Sequence, residues 1–303
     1  MTDNKLLRGT VCTLAGGICW GISGTVGQHI FSNCGVSSKW LTMVRMLGSG
    51  VILLIVGLFK NPRGMADIWK DRRDAVRLVL FGLFGLMICQ YTYLTAIYYS
   101  NSATATVLQY VGEVFVLAWV CLRGRRLPTV WEGAAVLLAL GGVFLLATHG
   151  HPKELVLSAR GLAWGIAAAL GMAFYTLLPG DLVKKYSCPV CTGYGMLIGG
   201  AVLFFLVRGW RLPFPTEVTT LLWVALITVV GTALAFALYL QGVSDLGGVK
   251  AGLLGCAEPV SAAILSAIWL GTKFTVEDII AFAMIIGMVV LMSVKDKKKG
   301  EVK

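Results

Sequence analysis

Two glutamates sit where glutamates are costly. Glu113 falls in the apolar run 103–122 and Glu258 in the run 249–270. A charged side chain at the centre of a bilayer costs roughly 2.5–3.5 kcal/mol or more, so it is retained where it faces a cavity or a partner. Glu113 lies about eleven residues into its run and Glu258 about nine, and at ~1.5 Å per helical residue both come near mid-membrane. Such a pair suits binding a substrate ammonium or carrying a proton. The competing reading is structural: each carboxyl is protonated, or caps a helix that breaks beside it. Pro259, directly after Glu258, removes a backbone donor and is expected to kink its helix and bare carbonyls beside the carboxylate, which makes it a structural or gating candidate. Glu113 is followed by Val114 and lacks that device.

Polar neighbours share faces with these groups. Gln90 and Tyr93 are three apart, and Gln109 and Glu113 four apart, so each pair lies on one helix face and together they form an inward polar stripe. Trp20, Tyr110, Trp164, Tyr175 and Tyr239 add ring surface suited to a zwitterion with an apolar side chain or to an organic cation. Trp and Tyr also build interfacial belts, so about half of these rings are expected at cargo. Arg45 lies ~8 Å below the outer surface by the same helical rise and its stem can snorkel. It reads as a structural ion pair or carbonyl contact in preference to a substrate ligand, and Lys250, at a run edge, reads as an anchor.

Other chemistries are set aside by what accompanies their motifs. Gly21 to Gly24 spell GISG, the G-x-S-G of rhomboid proteases, which would make Ser23 a nucleophile. That needs a base within hydrogen-bond reach, and His29, His149 and His151 all stand near the outer ends of runs. Asp67, Asp71 and Asp74 have the spacing of a metal-diphosphate site but lie among Lys70, Arg72 and Arg73 with no second acidic cluster, so a solvated amphipathic loop is expected. Cys188 and Cys191 form C-x-x-C without further Cys or His ligands, so neither metal nor any other cofactor is expected. No G-x-x-x-x-G-K-[ST] occurs, which excludes a built-in ATP motor.

These residues need elements to hold them, and the composition permits one kind. The 303 residues are 57% hydrophobic and 14% charged, against about 25% charged in a soluble protein. Ten apolar runs of membrane-spanning length are expected near 7–30, 40–59, 76–99, 103–122, 130–147, 161–178, 188–207, 219–240, 249–270 and 277–294. Runs of this length, apolar all round, can satisfy their backbone in lipid only as helices. The first is longer than a signal-peptide core and is read as a retained helix. The net charge of +11 resides in the connections and sets topology, so it does not point to nucleic acid. With the N-terminus inside, eighteen Lys and Arg fall on cytoplasmic connections and six on outer ones, which places both termini in the cytoplasm. Eight cysteines scattered through apolar runs do not form a disulfide framework. Paired glycines such as Gly82/Gly85, Gly141/Gly142 and Gly199/Gly200 offer small faces for close helix approach.

The chain also repeats itself. The stretch from Tyr93 reads alongside that from Tyr239 and brings Glu113 against Glu258 after a one-residue shift, and Thr129, Gly133 and Gly142 echo Thr275, Ala281 and Gly287. Five spans per copy is odd, so the second copy, residues 157–296, must be inverted relative to the first, 1–150, leaving 297–303 as a basic cytoplasmic tail. Inverted repeats mark alternating-access transporters.

On these residues the chain resembles the EamA-type branch of the drug/metabolite transporter superfamily. The matching features are Trp20-Gly21, Arg45, AIYYSNSATATVL joining the third and fourth spans, Glu258-Pro259, and the Thr129/Gly133/Gly142 and Thr275/Gly287 patterns. It departs where members often carry Gly-Glu, reading Gly124-Arg125 and Gly271-Thr272. The resemblance implies an all-α, ten-helix membrane carrier with a cavity lined by the first, third, fourth, sixth, eighth and ninth spans. The expectation is a secondary transporter in the cell membrane, monomeric or homodimeric, exporting a small amphipathic metabolite such as an amino acid, with protons as a coupling candidate. A drug or organic-cation exporter is the first alternative, and a polytopic hydrolase the second.

Overall fold

The computed structural model describes residues 3–151 and 155–300, with no account of side chains after Met292; Lys153, Lys303 and most of the basic tail's side-chain chemistry lie outside the described residues. Ten long helices occupy the ten apolar runs: α1 (Asp3–Asn33), α2 (Ser38–Lys60), α3 (Arg72–Tyr99), α4 (Ser102–Arg123), α5 (Val130–Thr148), α6 (Ala159–Leu177), α7 (Cys188–Leu206), α8 (Val218–Leu246), α9 (Lys250–Leu270) and α10 (Val276–Gly300). No strand occurs among the described residues. Eight of these helices are individually long and apolar enough to cross a membrane; α6 and α10 are the other two. α6 is rich in Ala and Gly, whose small side chains let it press on its neighbours: a methyl at Gly171 would lie 2.7 Å from Cys89 Cα, and one at Gly165 2.5 Å from Leu108. The protein is an all-α integral membrane bundle.

Short polar caps set the boundaries. Ser37, Asn101 and Ser158 accept the first free N–H groups of α2, α4 and α6. Thr129 and Glu132 close a reciprocal capping box at the start of α5, and Thr275 and Asp278 exchange the same bonds at the start of α10. The region expected as an amphipathic loop is instead helical over Pro62–Lys70, capped by Asn61. Asp71 then caps α3, which starts four residues before the expected boundary. Asp67 pairs with Lys70, and Asp74 is buried against Tyr186 and Lys185, so this acidic trio is spent on local structure. The Lys185 ammonium, outside the spans, is held above the ordinary lysine range by that carboxylate and the Tyr186 hydroxyl.

The packing follows a pseudo-two-fold axis. α1 lies along α8 and α9 as α6 lies along α3 and α4, while α2 meets α7 and α5 meets α10. Gly50 and Gly57 of α2 receive Leu197 and Val190, and Gly193 and Gly200 of α7 receive Leu54 and Leu47 in return. Interlocking small residues of this kind let backbones approach in a membrane, where burial of apolar surface supplies little drive. Each of α3 and α8 contains a π-helical stretch, Phe81–Met87 and Val229–Leu234. Each of α4 and α9 is broken once, at Val111 and Cys256, by i→i−3 bonds from Val111 to Leu108 and from Cys256 to Leu253.

Candidate functional site

The two breaks explain where the glutamates go. Glu113 and Glu258 both occupy the first turn of the half-helix that restarts after the break, where free N–H groups and the helix dipole favour negative charge. Packing backs each break from the opposite repeat: a methyl at Gly112 would lie 2.6 Å from Ala169 O of α6, and one at Gly17 3.3 Å from Glu258 N of α9. Pro259 does not cause the interruption, because α4 breaks identically with Val114 in that place. Pro259 stands in the first turn of its half-helix, where a missing N–H costs nothing.

Both carboxylates open into one cavity of about 730 Å³. Its wall carries Trp20, Gln90, Tyr93, Gln109, Tyr110, Tyr175 and Tyr239 besides Glu113 and Glu258, and Arg45 as well. Trp164 is not on it; its ring meets Tyr91 edge-on at 5.7 Å. The π-helical stretches widen their helices just before Gln90 and Tyr93 on α3 and before Phe236 and Tyr239 on α8; such bulges recur at functional sites. Tyr110 donates from its hydroxyl to Gly255 O at 3.0 Å and to Glu258 Oε2 at 3.2 Å, tying the fourth helix to the broken segment of the ninth. The Tyr93 hydroxyl lies 2.8 Å from Thr106 Oγ1, and Gln109 Nε2 donates to Cys89 Sγ at 3.2 Å.

One wall is aromatic throughout. Ring centroids run from Tyr239 to Trp20 at 4.9 Å, Trp20 to Phe236 at 5.1 Å, Phe236 to Tyr175 at 6.3 Å and Tyr175 to Phe81 at 5.8 Å. Phe81 and Phe236 escape sequence reasoning, because a phenylalanine in an apolar run carries no mark of the face it occupies.

One end of the cavity reaches the α4–α5 connection at Arg126 and Thr129, with Val183 and Met292 beside it; Arg126 binds Glu132 there through two bonds of 2.6 and 2.8 Å. At the opposite ends of α1, α4 and α9, buried hydroxyls and an amide tie the helices together. Ser102 Oγ and Ser266 Oγ are 2.7 Å apart, Ser102 N donates to Gln28 Oε1 at 2.8 Å, and Gln28 Nε2 donates to Thr272 Oγ1 at 3.3 Å.

Arg45 departs from its expected contacts. It makes neither an ion pair nor a carbonyl bond among the described residues, and its Nε donates to Thr232 Oγ1 at 2.6 Å. Ser23 is buried with its Oγ unpartnered, His29 bonds to Asn33 and His149 to Asp278, so the GISG motif is not paired with a base. Cys188 contacts Thr192, and Cys191 the carbonyl of Leu182.

Comparison with known proteins agrees with this architecture. The EamA-like transporter family model matches residues 7–148 and again 159–294. An uncharacterized inner membrane transporter of Salmonella typhimurium, YicL, is 37% identical over 295 residues, covering 97% of both chains. An uncharacterized transporter of Archaeoglobus fulgidus is 27% identical over 89% of this chain and 92% of its own. A protein known from a crystal structure superposes with a TM-score of 0.63 over 97% of this chain and 99% of its own, at 18% identity, which bears on the fold alone.

Proposed function

The chain belongs to the EamA-like transporter family and is a multi-pass transporter of the cell membrane, and from that premise we propose that it is a secondary carrier exporting a small amphipathic metabolite, an amino acid or related compound, by alternating access. The observation that carries this reading is the single cavity into which the two pseudo-equivalent broken helices deliver Glu113 and Glu258 beside a continuous aromatic wall. With both termini cytoplasmic, the cavity mouth at the α4–α5 connection faces the cytoplasm and the Ser102–Ser266 seal faces outward, an inward-open state ready to load cargo for export. Exchange of α1 and α6 contacts across the pseudo-two-fold axis would seal the mouth and open the other end.

The two glutamates are the coupling candidates: one carboxylate engages an ammonium while the other, or the same group in turn, exchanges a proton. Efflux from proteoliposomes preloaded with labelled amino acids and organic cations, with and without a pH gradient, tests the reading. Saturable loss of amino acids that responds to the gradient in the wild type, and loses that response in Glu258→Gln, is the expected result. Unchanged pH dependence in both Glu258→Gln and Glu113→Gln would sink the proton role. Selective loss of cations would favour the organic-cation exporter, which the same carboxylates and rings would serve.

A further inference from the structure

One charged group on the cavity has no part in that scheme. Arg45 is 3% exposed and lines the cavity wall. Its Nε donates to Thr232 Oγ1, in the widened stretch of α8, and that hydroxyl donates on to Ile227 O at 2.9 Å, just before the stretch. The guanidinium is thus anchored from one side. Its Nη1 is buried with no hydrogen-bond partner in the protein, and no carboxylate pairs with it among the described residues. Arginine does not escape this cost by losing its proton. A fixed, desolvated guanidinium with an idle N–H is strongly disfavoured until an anion completes it, and its planar donors match a carboxylate.

We propose that Arg45 is the anion subsite of the cavity and holds the carboxylate of an α-amino acid cargo, while Glu258 takes the ammonium and the Trp20–Phe236 wall takes an apolar side chain. This rests on the carrier reading above and adds to it the group that recognises the carboxylate. The charge pattern selects the class. A cation lacking a carboxylate leaves Arg45 unanswered, and a simple anion meets Glu113 and Glu258 in the same cavity. A zwitterion answers both signs at once. The remaining charges on the wall, Arg126 and Glu132 at the mouth, already satisfy each other. A volume of about 730 Å³ accommodates an aromatic or branched amino acid.

The test uses the full chain in proteoliposomes and three probes of one shape: L-phenylalanine, L-phenylalaninamide, which lacks the carboxylate, and 3-phenylpropionate, which lacks the amine. The wild type is expected to carry the amino acid at least about tenfold better than either analogue, the scale of one charge-assisted contact. Arg45→Gln should collapse the preference over the amide while leaving the preference over the acid, and Arg45→Lys should restore part of it. If Arg45→Gln does not fold, Thr232→Val, which frees the guanidinium from its anchor, should shift the same ratio in the same direction. A wild type that carries the amide as well as the amino acid, or a ratio unmoved in Arg45→Gln, overturns the subsite. Flux of amide alone overturns it but keeps the carrier, whereas no saturable flux of any probe overturns both.

Discussion

Gly21 is the position where one methyl group tests the helix contact that holds Glu258 in place. An added Cβ there would collide with Ser261 Oγ and lie 2.8 Å from Glu258 O and 2.9 Å from Ala262 N. Ser261 can rotate away, losing its 2.9 Å bond to Glu258 O, but the two backbone atoms cannot. Relief requires α1 and α9 to part by about half an ångström, and overpacking of this kind costs about 1–3 kcal/mol. Alanine also gains ~1 kcal/mol in helix propensity over glycine, so the matched control is Gly287→Ala in α10, where nothing lies within 4 Å of the new methyl. The propensity gain is common to both variants, and their difference isolates the clash. Thermal melts followed by tryptophan emission in detergent should place Gly21→Ala several degrees below Gly287→Ala, at roughly 2–4 °C per kcal/mol for a chain of this size. Coincident melting would refute the reasoning, since it would mean that α1 and α9 are not in backbone contact beside Glu258.

The two reciprocal caps and the proposed seal give further tests. Thr129→Ala and Thr275→Ala each remove the hydroxyl that receives an N–H three residues on, and each should cost about 1 kcal/mol with additive effect on the melting midpoint; a neutral double variant would show that the caps do not contribute. Gln28→Leu strips the acceptor from Ser102 N at the start of α4, a penalty of about 1–3 kcal/mol specific to the proposed seal, which under the proposed alternating access is roughly tenfold in the balance of the two states per 1.4 kcal/mol. Spin labels at exposed Asn33 and Lys273, on a background with the native cysteines replaced, should report a longer distance population in this variant, and an unchanged distribution would remove Gln28 from the seal.

Hydropathy alone determined the helices, because lipid leaves a chain of ~20-residue apolar runs no other way to satisfy its backbone. The pairing of Glu113 with Glu258 was also legible, since buried carboxylates are conspicuous against apolar neighbours and the echo of Thr129 in Thr275 fixes their register. What the sequence withheld is which apolar face points inward. In soluble proteins polar periodicity marks that face, but lipid-facing and core-facing positions here are both apolar. Trp164 therefore reads like Tyr175, yet one packs on Tyr91 and the other lines the cavity. Phe81 and Phe236 were invisible for the same reason. Tertiary structure alone decided the breaks at Val111 and Cys256, which contacts from α6 and α1 support without a proline at the break itself. It also decided the fate of Arg45, whose partner Thr232 lies 187 residues away on the other repeat. Side-chain chemistry is local and survives in the sequence; the burial that directs it arises only when ten helices close around a common axis.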